Sequence, residues 1–441
     1  MTVTAESGAH HAPANLLKIL GVTFGVAVTI GQTIGSGILR SPSIVASEVP
    51  GVAVIMGLWV LGALQVMNGA NIVAELGTML PKSGGVYVFA RRAWGDVGGL
   101  IVGWSDWLAN LAGAAAASVS FAEFLPALWP QAGTHKIAVA LALQIALYAA
   151  NVMGLREGRA VQNFTSFFKT AMLIVFVIAA AVFIAPSEPQ TALSSPAVFR
   201  WANIILAYQL IMGAYAGWTT PVYFSGENVS PDKSIPRALF IGVLLTAAIY
   251  LGVNGALLHA LGTTGVASAP LPFAQVLKHF GGSLPATLFA LTACVTVASC
   301  ANATIMGASR VIFALSSDGL LPRSLAAINK GGSPHSAFLL SAVLSLALAA
   351  TGLFGLVFGL IATLNAVAGV LVDMSLFILR RREPDLPRPY RAMLFPVLPA
   401  IQVLVDGSLV VLFCAADYVG GLVTLGLGLL CVPLALIARR R

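Results

Sequence analysis

What most constrains this chain is a recurrence of apolar runs, each about as long as a bilayer is thick. A spanning helix needs about 20 largely apolar residues. Twelve such runs can be drawn, at roughly 17–46, 51–79, 97–128, 136–154, 162–185, 202–227, 237–263, 284–317, 335–352, 354–379, 393–416 and 419–438. The first, third and eighth are long, so they are tilted, broken or extend past the bilayer. Of the 441 residues, 58% are hydrophobic and 9% charged, against about 25% charged in soluble domains. The expected fold class is therefore all-α: a polytopic membrane protein with twelve transmembrane helices.

The basic residues test this division. Eighteen of the 24 Lys and Arg fall at the N-terminus, after the even-numbered spans, or at the C-terminus; Lys136, Arg200 and Lys278 fall on the other face. By the positive-inside rule both termini are cytoplasmic. The net charge of +8 follows this topology and gives no reason to expect nucleic acid. The expected organisation is a tail at 1–15, a ten-helix core at 16–379 (helices 1–10), a basic, proline-rich, solvated cytoplasmic linker at 380–392, helices 11–12 at 393–438 and a basic end at 439–441. No signal peptide is expected, and the location is the inner (plasma) membrane of a bacterium. Cys294, Cys300, Cys414 and Cys431 lie in apolar runs without metal-site spacing and read as small buried hydrophobes. No metal or cofactor is expected.

Inside the first span stands Gly31-Gln32-Thr33-Ile34-Gly35-Ser36-Gly37-Ile38-Leu39. Two glycines around a serine at mid-membrane depth suggest a broken helix. Such a break is tolerated only where protein or a cavity satisfies the freed backbone groups. The half-helix starting near Ser36 would aim its amides, the positive dipole end, at a carboxylate. The carbonyls ending the first half would suit an ammonium. An α-amino acid carries both groups on one carbon. Gly35 and Gly37 fit a small-residue packing face equally well.

Span 6 carries Gly213-Ala214-Tyr215-Ala216-Gly217-Trp218-Thr219-Thr220-Pro221, a second interruption five spans after the first. Paired interruptions are the mark of inverted repeats, here spans 1–5 and 6–10. The alternative is a proline kink with no binding role. The stretch 262–282, with Pro270, Pro272 and Gly281-Gly282 around Phe273 to Phe280, reads as an external re-entrant or capping helix.

Ionisable groups within spans are functional candidates by default. Arg310 is read as snorkelling toward the cytoplasm. Asp106, between Trp104 and Trp107, is read as interfacial, and Glu75 as tying loops to basic residues. Glu75, Asp106, Glu123 and Asp373 could all suggest proton carriers, and none is assigned that role.

The chain resembles the amino acid–polyamine–organocation superfamily of amino acid permeases and exchangers. The resemblance rests on Gly35-Ser36-Gly37-Ile38, on Ala74-Glu75-Leu76-Gly77-Thr78-Met79-Leu80-Pro81-Lys82-Ser83-Gly84-Gly85, and on Gln162-Asn163-Phe164-Thr165 with Lys169. It rests also on Gly226-Glu227 with Pro231, Pro236 and Arg237, and on Ser309-Arg310 with Asp318-Gly319-Leu320-Leu321-Pro322. It implies a five-plus-five inverted-repeat fold with helices 1 and 6 broken at mid-membrane, and alternating access to one central site. By the resemblance, the carboxylate amides fall on Ser36 and Gly37, beside Gly35. The amine-binding carbonyls fall on Thr33, Ile34, Gly213, Ala214 and Ala216, and the side-chain pocket on Trp218 and Thr219. Asn302 is a polar wall residue or a packing residue. Lys169 stands where sodium-coupled members of the wider fold hold a cation; the alternative is snorkelling. Relatives often have phenylalanine where this chain has Leu39 and Gly213, and Arg40 is uncommon just past the break.

The expected function is sodium-independent secondary transport of an amino acid, with a neutral one favoured, by exchange or proton symport. The alternatives are a polyamine or other organocation permease, a channel, or a non-transporting sensor of the same fold. An enzyme is not expected, for want of a nucleophile–base pair or metal cluster at matched depth. The expected partners are the amino acid, a proton or counter-transported amino acid, and the lipid bilayer; the sequence leaves monomer and homodimer both open.

Overall fold

The computed structural model describes residues 19–153, 155–186, 200–269, 271–281, 284–329, 332–351 and 354–416, with Leu422 and Gly426. The tail at 1–15, the span at 419–438 apart from Leu422 and Gly426, and Cys431 lie outside the described residues.

Among the described residues thirteen α-helices follow in order: α1 (Val22–Thr33), α2 (Ser36–Glu48), α3 (Val52–Met79), α4 (Tyr87–Phe124), α5 (Lys136–Met153), α6 (Leu155–Phe183), α7 (Trp201–Tyr215), α8 (Pro231–Ser268), α9 (Pro272–Leu277), α10 (Leu284–Ser317), α11 (His335–Ala350), α12 (Phe354–Arg382) and α13 (Val397–Ala416). Among the described residues eight helical segments are long and apolar enough to cross a bilayer, and the bent pair α1–α2 makes a ninth. Helix α11 is apolar but shorter, and α7 continues past an interruption as the 3-10 segment Thr220–Glu227. This is the polytopic all-helical architecture expected; the last of the twelve expected spans falls largely outside the described residues. The short helix α9 occupies the stretch read as a capping helix.

Both interruptions are present. Helices α1 and α2 meet at an angle of 44° across Ile34–Gly35. Helix α7 ends at Tyr215, and Gly217 turns the chain with φ +100, a conformation that glycine adopts without a Cβ penalty. A Cβ there would lie 2.6 Å from Gln32 Cγ. Likewise a Cβ on Gly37 would lie 2.8 Å from Ala214 Cα. Small residues at both breaks thus let the two interrupted segments touch. Of the alternatives posed for Gly35 and Gly37, close packing is seen directly at Gly37.

The end later proposed to face the cytoplasm is tied by buried charge. Arg310 does not snorkel: it is 1% exposed and donates from Nε to Glu227 Oε1 at 3.0 Å and from Nη2 to Oε2 at 3.3 Å. Its guanidinium also lies over the rings of Phe224 and Phe338. A planar donor fork matched to a carboxylate explains why it stays inside rather than reaching for water. The Glu227 carbonyl accepts from the amides of Ile19 and Leu20, so this pair also anchors the start of the described chain.

The linker at 380–392 was expected to be solvated, and part of it is docked. Glu75, fully buried at the end of α3, accepts from Arg380 at 2.9 and 2.5 Å, pairs with Arg388 at 3.2 Å and accepts from the amide of Ala392 at 2.6 Å. A buried carboxylate needs this many donors, and the basic linker supplies them. Glu75 has the loop-tying role read from the sequence.

Candidate substrate-binding site

The end of α1 shows how a broken helix is satisfied. Its last four carbonyls lack intrahelical partners, and side chains from three other helices reach them. Lys169 of α6 donates from Nζ to Gly31 O at 2.8 Å and Ile34 O at 2.6 Å. Cys300 of α10 lies 3.1 Å from Gln32 O. The Tyr250 hydroxyl of α8 lies 2.7 Å from Thr33 O and 2.7 Å from Ala214 O. One hydroxyl proton serves one of those two carbonyls at a time, so acceptor capacity remains for a further donor. Lys169 is fully buried, which leaves the snorkelling alternative without support. Gln162 and Ser166, two turns and one turn earlier on α6, both donate to Ala27 O and brace the same helix.

On the other side of the break, α2 begins at Ser36 with no side chain capping its N-terminus. Its first amides are therefore free donors at the positive end of a 13-residue helix. The residues that carry them line a cavity of ≈ 240 Å³. That is just under the ~300 Å³ at which small-molecule sites begin, so the space suits one small solute. Thr33, Gly35, Ser36 and Gly37 line it from the first break, and Gly213, Ala214, Ala216, Trp218 and Thr219 from the second. Ile34, Lys169 and Asn302 stand outside the lining. Ile34 faces Lys169 through its carbonyl. Asn302 is fully buried, donating to Gln162 Oε1 at 2.9 Å and accepting from Asn151 at 2.7 Å. That makes it a packing residue joining α5, α6 and α10.

Several lining groups were not singled out by sequence reasoning. Gln32 donates to Asn110 Oδ1 at 3.0 Å and accepts from the Thr220 hydroxyl. Asn110 in turn donates to the backbone of Asp106 at 2.8 Å, and Tyr223 donates to Asp106 Oδ1 at 2.6 Å. A polar network thus crosses from α1 through α4 to the segment after the second break. Asp106 is not interfacial: it is 6% exposed, and its Oδ2 has no partner. Its two tryptophan neighbours flank it in sequence, but the helical turn of about 100° per residue points it inward. Cys300 also lines the cavity, and a Cβ on Gly35 would meet its sulfur at 2.7 Å. Beyond Trp218 the cavity continues between α3, α12 and α13 to Gln65, Asp373, Gln402 and Asp406. The signal available for these residues was their polarity inside apolar spans; which way they faced was not.

Arg40 stays out of this space. It pairs with Glu123 of α4 and lies 5.9 Å from the centre of the Phe124 ring. Both charges are about a third exposed, so neither is presented to the cavity as an isolated charge.

A multi-pass helical membrane protein with two opposed helix breaks around a small central cavity belongs to the class of secondary transporters. Within that class, the chain belongs to the amino acid permease family, which it matches over residues 20–428. It is 26% identical to the serine/threonine exchanger SteT of Bacillus subtilis (strain 168), over 89% of this chain and 90% of that protein. It is 25% identical to the branched-chain amino acid permease BcaP of the same organism, over 88% and 87%. It is 26% identical to the large neutral amino acids transporter small subunit 2 of Homo sapiens, over 89% of this chain and 76% of that protein. The protein is thus an amino acid transporter of the membrane, not an enzyme.

Proposed function

We propose that the chain carries a neutral amino acid by alternating access, without sodium. The observation that carries this reading is the paired geometry at the first break. Ser36 and Gly37, at the uncapped start of α2, line the same cavity as Thr33 and Ala214, whose carbonyls share a single hydroxyl donor. The amides suit the substrate carboxylate and the carbonyls its ammonium. The side chain would lie toward Gly213, Trp218 and Thr219. Lys169 supports sodium independence: its ammonium already bridges the Gly31 and Ile34 carbonyls, as a bound cation would. The relatives named above act, by their names, on serine and threonine, branched-chain and large neutral amino acids, which supports a neutral substrate here. The charge bias of the loops supports cytoplasmic termini.

The test is uptake into proteoliposomes with a panel of labelled amino acids, with and without sodium, a pH gradient and internal substrate. Neutral amino acids should enter equally well with sodium or choline outside. Gly37→Val, whose side chain would collide with Ala214 Cα, should be inserted but should not bind substrate. A sodium requirement, preferential glutamate uptake, or normal uptake by Gly37→Val would each overturn part of the reading.

A further inference from the structure

The arm of the cavity beyond Trp218 contains a feature that amino acid binding does not use. Asp373 of α12 and Asp406 of α13 both line it. Asp406 also accepts from Gln65 at 2.6 Å and from Gln402 at 3.3 Å, and its Oδ2 would lie 3.1 Å from a Cβ on Gly369. Gly369, one turn before Asp373, therefore makes room for the second carboxyl. Asp373 is 4% exposed, and its Oδ2 has no partner.

Two ionised carboxylates offer acceptors only, so neither can satisfy the other without a proton. Like charges in contact in a buried place do not both ionise without a cation. Among the described residues, no lysine, arginine or histidine lines the cavity. The groups facing the pair are amides and phenols: Gln65 and Gln402 directly, and Tyr208 of α7, whose hydroxyl donates to Gln65. Asp106 of α4, held by Tyr223, faces the same cavity from the other side. Among the described residues that line the cavity, no cation compensates the pair.

Resting on the transport reading above, we propose that Asp373 and Asp406 form the proton-binding site that couples substrate movement to a proton gradient. The placement suits coupling. Asp373 sits on α12, the tenth spanning segment and the last of the expected repeats, which packs against α4 and reaches the second break; Asp406 sits on α13, outside the repeats. A shift of α12 against α13 changes the carboxyl–carboxyl separation, and with it the number of protons the pair holds. With the cavity open outward, the pair takes a proton from water. With it open inward, the carboxylic O–H releases that proton to water and the bonding electron pair stays on the carboxylate oxygen.

The experiment uses the full chain in proteoliposomes, with an entrapped pH dye and labelled neutral amino acid. The parent, Asp373→Asn, Asp406→Asn and Asp373→Glu are compared in counterflow and in uptake driven by an inward pH gradient. In the parent, amino acid uptake should bring protons in, and one pH unit should drive about tenfold accumulation per coupled proton. Both Asn variants should lose proton entry and accumulation while counterflow persists. Asp373→Glu, which keeps a carboxyl but moves it, should still accumulate, with a displaced pH midpoint. An infrared band of a protonated carboxyl should be present in the parent and absent in Asp373→Asn.

Proton entry surviving in both Asn variants, or absent from a parent with intact counterflow, overturns the proposal alone. So does equal loss of counterflow and accumulation in every variant, Asp373→Glu included, which would make the pair structural. A parent that prefers lysine or putrescine, with the Asn variants losing that preference, would make the pair a side-chain ammonium site instead. Absence of counterflow in the parent for any amino acid would overturn the transport reading and this inference with it.

Discussion

At the residue scale, Gly213 is the position where a substitution separates substrate selection from packing. It lines the cavity beside Ala214, and relatives often carry phenylalanine there. A phenylalanine would bring up to ~200 Å² of apolar surface to the lid. If the side-chain pocket lies here, Gly213→Phe should reduce uptake of leucine or phenylalanine at least several-fold and spare alanine and serine. Competition uptake in vesicles reads this directly. Equal loss for every size would instead mark Gly213 as a helix-packing residue. Lys169 illustrates a different limit. Its place in a span was visible in the sequence, but its two acceptors, Gly31 O and Ile34 O, lie on a helix 135 or more positions earlier. No local pattern links them.

At the element scale, the segment after the second break is held by Glu227 and Arg310. Both are essentially unexposed, so removing one partner strands a buried charge. Arg310→Met should destabilise the folded protein by about 3–5 kcal/mol. Glu227→Gln with Arg310→Met should recover a substantial part of that, because no unpaired charge remains. Thermal unfolding in detergent for the two single variants and the double gives the coupling. Additive losses would show that the pair is not the anchor. The motif residues Gly226-Glu227 and Ser309-Arg310 were legible as separate signals. Their union was not, since an arginine near a helix end is equally suited to snorkel, and only the facing carboxylate decides otherwise.

At the scale of the whole molecule, the arrangement of charge predicts orientation. With both termini cytoplasmic, Thr134 in the turn between α4 and α5 faces outside and Ser324 after α10 faces inside; both are exposed at the surface. In a variant without native cysteines, an impermeant thiol reagent should label Thr134→Cys in right-side-out vesicles and Ser324→Cys only in inverted ones. The reverse labelling would invert the topology and move the Glu75, Arg380 and Arg388 cluster to the outer face. That cluster docks part of the linker onto α3, where the sequence suggested free solvent. Composition alone marks a basic, proline-rich stretch as solvated; a buried carboxylate on another element changes its preference.

The sequence by itself determined the solvent, the element type and the two interruptions. Each is a local property: hydropathy over about 20 residues, glycine and proline at mid-span, and basic residues at loop positions. The expected cradle residues from Thr33 to Gly37 and from Gly213 to Thr219 form contiguous stretches, and contiguity is what a sequence displays. Tertiary structure alone decided which isolated polar residues face the cavity. Asp106, Asp373 and Asp406 are single carboxyls on long apolar helices with shallow amphipathic patterning, so no periodicity tells lipid-facing from cavity-facing sides. Their direction is set by helix rotation and packing against neighbours far away in the chain, which no local window of residues records.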